Sequence, residues 1–128
     1  MCMAGDMDGP EFYSESWQKT KKVRKCGECN REIEIGERYF KAIGKWDGDF
    51  RTKIQCAHCN LIAGEWLMEH CHGFLFGQIQ EDIAEHEHEG AYTSVAEKME
   101  IVHIVTSMDR QWRTPTGRLM RLPKKAAV

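Results

Sequence analysis

Four of the six cysteines in this 128-residue chain fall in two pairs, Cys26-Gly27-Glu28-Cys29 and Cys56-Ala57-His58-Cys59, separated by 26 residues. Two residues between paired thiols let both sulfurs converge on one ion. Four soft thiolates are the set that suits tetrahedral Zn²⁺ in a structural site. The spacing therefore predicts one structural zinc held by Cys26, Cys29, Cys56 and Cys59. His58 lies inside the second pair and is an alternative to one cysteine, but the thiols match a closed site better. A thioredoxin-like dithiol needs one such pair beside a βαβ unit, and that pattern is missing. Six cysteines in a secreted chain would suggest disulfides. Here the N-terminus lacks the charged-then-apolar pattern of a secretory signal, and no run nears the roughly 18 apolar residues of a membrane span. Metal and a cytoplasmic setting are the expectation.

An ion saturated by four cysteines keeps no open position for water or substrate, so Lewis-acid catalysis is not expected there. Other catalytic sets are missing too. A zinc deaminase needs His-x-Glu ahead of Pro-Cys-x-x-Cys, and no proline precedes Cys56. An HNH-type nuclease needs a histidine base on its hairpin, and residues 31–55 hold no histidine. Neither a Gly-rich phosphate loop nor a Gly-x-Ser-x-Gly elbow occurs. No catalytic residue is assigned, and a diverged nuclease ranks last among the functional readings. His70, Cys71, His72, His86 and His88 form a second group of metal-ligating types, left open here because Cys71 also suits a buried apolar site.

The elements that must position the thiols follow from pattern. Residues 1–22 read as a flexible lead-in, rich in Gly, Asp, Pro and Ser. From Lys25 the order is knuckle, strand, turn, strand, knuckle. Residues 37–43 form an aromatic and β-branched stretch, and Asp47-Gly48 is the strongest short hairpin signal before a return strand over 50–54. Helices are predicted over 60–71 and 74–86, from apolar residues at helical spacing. Ser94-Val95-Ala96-Glu97 has capping-box spacing, which favours a third helix from Val95 to Trp112, although the β-branched run 101–106 would also suit a strand. The predicted division is a lead-in (1–22), a zinc-binding domain with its second helix (23–90), a C-terminal helix packed on it (91–112) and an extended basic tail (113–128).

Net charge is −2, which gives no global argument for nucleic acid, but charge is unevenly placed. Basic stretches at 19–31 and 109–125 flank an acidic one at 81–100, an arrangement that steers a partner or only solvates a surface. Candidate partner-binding residues are Lys45 and Trp46 at the hairpin tip, with Arg110, Trp112 and Arg113 near the C-terminus. An exposed tryptophan among cations stacks on bases or anchors a protein interface.

A knuckle pair, a hairpin and a second pair opening a helix resemble a treble-clef zinc finger, an α+β fold extended here by two further helices. Cys26-x-x-Cys29, Ile33-x-x-Gly36-Glu37-x-Tyr39, Gly44-x-Trp46-Asp47-Gly48, Thr52, Cys56-x-x-Cys59 and Cys71-x-Gly73-Phe74-x-Phe76-Gly77 with Glu81-Asp82 resemble small, largely uncharacterised treble-clef proteins of bacteriophages and prophages. The resemblance covers about residues 24–82 and brings no activity with it. It implies a phage origin, a bacterial host cytoplasm and a zinc-stabilised fold. The leading expectation is a non-catalytic protein that engages or inhibits a host protein such as defence machinery. A nucleic-acid-binding accessory protein is the alternative.

Overall fold

In this computed structural model, residues 12–46, 48–67, 76–89 and 94–122 are described. The elements in chain order are β1 (Phe12–Lys19), β2 (Arg24–Lys25), β3 (Glu32–Ile33), β4 (Arg38–Trp46), β5 (Asp49–Cys56), α1 (Ala57–Leu61), a π-helical segment (Ile62–Leu67), α2 (Ile79–Glu89) and α3 (Val95–Asp109). The fold is mixed α+β, and its described strands pair antiparallel.

The hairpin β4–β5 carries the chain from one cysteine pair to the other. Its register runs from Tyr39↔Cys56 to Trp46↔Asp49. That leaves two positions between the paired strands. Gly48 has φ 84°, in the left-handed region such turns require. The hairpin falls where the Asp-Gly signal placed it, with Asp47 outside the described residues.

One expected segment is corrected. Residues 12–19, read as part of a flexible lead-in, form β1 and pair along their whole length with β4, from Phe12↔Lys45 to Lys19↔Arg38. The sheet order is β1-β4-β5. All eight β1 residues are exposed, so neither face of the strand has a uniformly apolar set to reveal a period of two.

The first helix starts at Ala57 rather than Asn60, capped by the Cys56 sulfur, and passes into the π-helical segment, where Ile62, Ala63, Trp66 and Leu67 are buried. Residues 68–71 of the predicted helix lie outside the described residues. The second starts at Ile79, later than the predicted residue 74, because Gly77 sits at φ 84° and cannot belong to a helix. The third is a helix, as the capping box indicated: the Ser94 side chain accepts from Glu97 N at 3.1 Å. It ends at Asp109, three residues sooner than expected, and Gln111 and Trp112 both take φ 56°. The chain beyond does not run away as an extended tail at first. A bridge Arg113↔Leu119 folds it back, Met120 N donates to Trp112 O at 2.7 Å, and Leu119 and Met120 pack on the core.

The core gathers the four paired cysteines with Ile33, Tyr39, Leu67, Ile79, Ile83, Ile101, Met108 and Trp112. Strands β3, β4 and β5, α1, the π-helical segment, α2 and α3 all contribute to this core, and β1 reaches it through Gln18, which accepts from the Tyr39 hydroxyl at 3.3 Å.

Candidate metal centre

The first pair sits in the turn between β2 and β3. Cys26 N donates to Arg31 O at 2.9 Å, Asn30 N to Cys26 O at 3.1 Å, and Gly27 N to Ile54 O at 2.7 Å. A Cβ at residue 27 would stand 3.0 Å from the Ile54 carbonyl oxygen, so the knuckle lies against β5 only with glycine there. Cys56 ends β5 and Cys59 lies in the first turn of α1. Strand end and helix start together aim the second pair at the first.

The four sulfurs lie within 4.8 Å of one another, and all four cysteines are buried. They are free thiols. Cys29 Sγ and Cys56 Sγ are 3.9 Å apart, far beyond the disulfide bond length of about 2.05 Å. Sulfurs placed about 2.3 Å from a central ion at tetrahedral angles are about 3.8 Å apart. Donor type, number and spacing therefore fit one tetrahedrally bound metal ion.

Around the sulfurs stands a layer of donors. Cys26 Sγ accepts from Glu28 N at 3.4 Å and Cys56 N at 3.3 Å, Cys56 Sγ from Cys59 N at 3.5 Å, and Cys59 Sγ from the Trp112 indole N–H at 3.3 Å. Each favours the thiolate, the form that binds metal. Arg31 is buried and held by the Glu37 carboxylate at 3.2 Å. Its burial opposes the charge, yet Glu37 and the Cys56 sulfur outweigh that and hold its pKa above the ordinary value. Among the thiols themselves, hydrogen bonds from Cys26, Cys29 and Cys59 hold Cys56 well below the usual range, and Cys29 chiefly lowers Cys26. Cys29 and Cys59 are pushed far up, each chiefly by Cys26. Four sulfurs this close cannot all ionise unaided; a cation at their centre removes the conflict.

Two further side chains tie the centre to the rest. Glu28, inside the first pair, accepts from Gln55 Nε2 at 2.9 Å, Gly77 N at 2.8 Å and Ile79 N at 3.5 Å. It thus caps the start of α2 from the knuckle. Burial raises its pKa and these donors only partly offset that. His58 binds the returning chain: its Nε2 donates to Met120 O at 2.7 Å, its ring lies 5.3 Å from Trp112, and its own hydrogen bonding adds to what lowers the Cys56 thiol. It anchors the returning C-terminal chain and is not among the four residues clustered for a metal.

The expected partner-binding residues divide. Trp112 is corrected: it is 1% exposed, with its N–H on a metal-site sulfur, and no partner can stack on it. Lys45 lies on β4 with its ammonium 5.7 Å from the Phe50 ring centroid. Trp46 closes β4 at the turn. Arg110 is exposed just past α3, and Arg113 is half-buried, 3.9 Å from the Glu34 carboxylate. His70, Cys71 and His72 lie outside the described residues. His86 and His88 fall in α2, but their side chains are not among the described ones. Among the described residues, Cys26, Cys29, Cys56 and Cys59 are the cluster suited to a metal. Sequence pattern gave no sign of the roles of Trp112, Arg31 or Glu28, because each depends on a turn or a long-range contact.

No family model, curated protein or solved structure matches the chain. Among the described residues, no helix is long and apolar enough to cross a membrane.

Proposed function

We propose that the chain is a non-catalytic, zinc-stabilised treble-clef protein that works by binding a host macromolecule. The carrying observation is the closed, buried set of four cysteine sulfurs. Such a donor set suits Zn²⁺, leaves no position for substrate, and couples metal binding to folding. The treble-clef reading is supported by the order of parts: a knuckle framed by β2 and β3, the β4–β5 hairpin, then a helix opened by the second pair. A phage origin and a bacterial cytoplasm follow from the resemblance and are proposed with it.

Metal analysis of the purified chain, followed by incubation with DNA and RNA in the presence of Mg²⁺ or Mn²⁺, tests this reading. One zinc per chain and intact nucleic acid are expected. Strand cleavage that disappears on substituting a histidine outside the four-cysteine site would overturn the non-catalytic reading.

A second reading, a protein partner, is favoured by one observation. Val95, Met99 and Val102 are exposed along one side of α3 and, with Lys98, His103 and Thr106, line a shallow groove of about 450 Å³. Affinity capture from a bacterial host lysate tests it: a protein retained by the native chain and lost by Val102→Asp supports it.

A further inference from the structure

Among the described residues β1 pairs with β4 alone, from Phe12 to Lys19 without a break in register. In an antiparallel strand both backbone polar groups of a residue point the same way, and that direction alternates along the chain. Thr20, next in the same register, donates its N–H to Glu37 O at 2.9 Å and accepts from Gly36 N at 3.0 Å. Ser14, Ser16 and Gln18 therefore turn their backbone groups toward β4, and Glu15, Trp17 and Lys19 turn theirs outward. No described strand pairs with that outward edge. All eight residues of β1 are exposed. An open edge of this length is a template for another strand, and proteins commonly blunt one with proline, a bulge or charge. β1 has no proline and no bulge. Its two charges, Glu15 and Lys19, are of opposite sign.

Those charges stand symmetrically about Trp17, and the three side chains share one face of the strand. A second copy pairing edge to edge about a two-fold axis must run antiparallel, and only residues with outward backbone groups can exchange bonds. Centring the axis on Trp17 sets Glu15 of each copy opposite Lys19 of the other. Centring it on Glu15 or on Lys19 sets like charges opposite each other. Centring it on Ser16 or Gln18 gives neither charge an opposite partner within the strand. The edge is thus complementary to itself in one register.

The side chains are free to meet there. Lys19 is exposed and has no ion pair among the described residues. Glu15 accepts one bond, from the Tyr13 hydroxyl at 2.9 Å, and a carboxylate has room for more. Trp17 is 44% exposed and packs edge-on against Phe40 at 5.7 Å, while Phe40 stacks on Phe76 at 6.4 Å. Two Trp17 rings meeting at the axis would join the aromatic rows of two molecules. Opposite charges and aromatic pairs directly across strands are the contacts that stabilise a sheet. We propose that this edge is a self-association surface, on which two copies pair β1 with β1 antiparallel about Trp17 and merge their sheets. The proposal goes beyond the binding reading above and does not depend on it.

Sedimentation equilibrium of the zinc-loaded full chain, with native mass spectrometry, tests it. A monomer and dimer in equilibrium are expected. Glu15→Lys and Lys19→Glu should each weaken self-association by about tenfold to a hundredfold, because each sets like charges opposite at two places. Mixing the two variants restores unlike pairs at both places and should yield a heterodimer of near-native affinity. Amide exchange should slow on dimerisation at Glu15, Trp17 and Lys19 more than at Ser14, Ser16 and Gln18, which already bond to β4. All substituted positions are exposed, and zinc content and circular dichroism of each variant verify the fold. A chain that stays monomeric, a dimer indifferent to both reversals, or reversed variants that do not associate when mixed overturns the proposal. Slowing confined to residues 95–106 would place the contact on α3 and overturn it as well. So would a host protein captured by the native chain and lost in Lys19→Glu, without any dimer.

Discussion

The Cys59 sulfur takes its hydrogen bond from an indole that the chain reaches 53 residues later. To deliver it, Gln111 and Trp112 adopt left-handed backbone, which disfavours large side chains, and the bonds Gln111 N to Met108 O and Trp112 N to Ser107 O hold the turn. Trp112→Phe keeps most of the packing and removes only the donor. Metal affinity should fall about tenfold to a hundredfold with the fold retained, read by competition with a chelator of known affinity. Unchanged affinity would mean that the indole serves packing alone. Cys56→Ser removes one of the four clustered sulfurs outright. The free energy of structural zinc binding, about 10–16 kcal/mol, equals or exceeds the stability of most domains, so this variant should lose both metal and fold by metal analysis and circular dichroism. The convergence of the four sulfurs was legible because their spacing alone implies it. Trp112 was misread as a surface residue because nothing local announces a turn that drives it inward.

Elements are held to the centre by a few polar contacts. Glu28 carries the link from the knuckle to α2. Glu28→Ala leaves the amides of Gly77 and Ile79 without this acceptor and should cost about 1.5–3 kcal/mol in denaturant unfolding of the metal-loaded protein. Hydrogen exchange should quicken first at residues 77–83, and uniform quickening would show the effect to be global. Ser94→Ala removes the cap of α3 and should cost about 1 kcal/mol by the same unfolding measurement. The cap and the Asp-Gly turn were readable because each is a local device with its own residue types. The helix starts were less so. Asn60 was the apparent start of α1 because the apolar period begins there, whereas the true cap is a metal-site cysteine. β1 escaped for the opposite reason: with every residue exposed, its pairing with β4 is recorded in backbone bonds that no side-chain pattern reports.

At the scale of the molecule, knuckle, hairpin, α1 and the returning C-terminal chain all converge on one buried cluster of sulfurs. The candidate metal site thus stands at the junction of the fold, while the sheet tip and the outer side of α3 project away from it. Such a division suits a binding protein. It also implies that removing the ion should dissolve every surface together rather than switch off one activity. Zinc titration of the reduced, metal-free chain, followed by far-ultraviolet circular dichroism with native mass spectrometry, tests that dependence most directly. The expected result is an unfolded metal-free chain that gains its α+β spectrum in proportion to zinc, complete at one ion per chain. A metal-free chain that already shows the folded spectrum, or one that folds without taking up an ion, would contradict it.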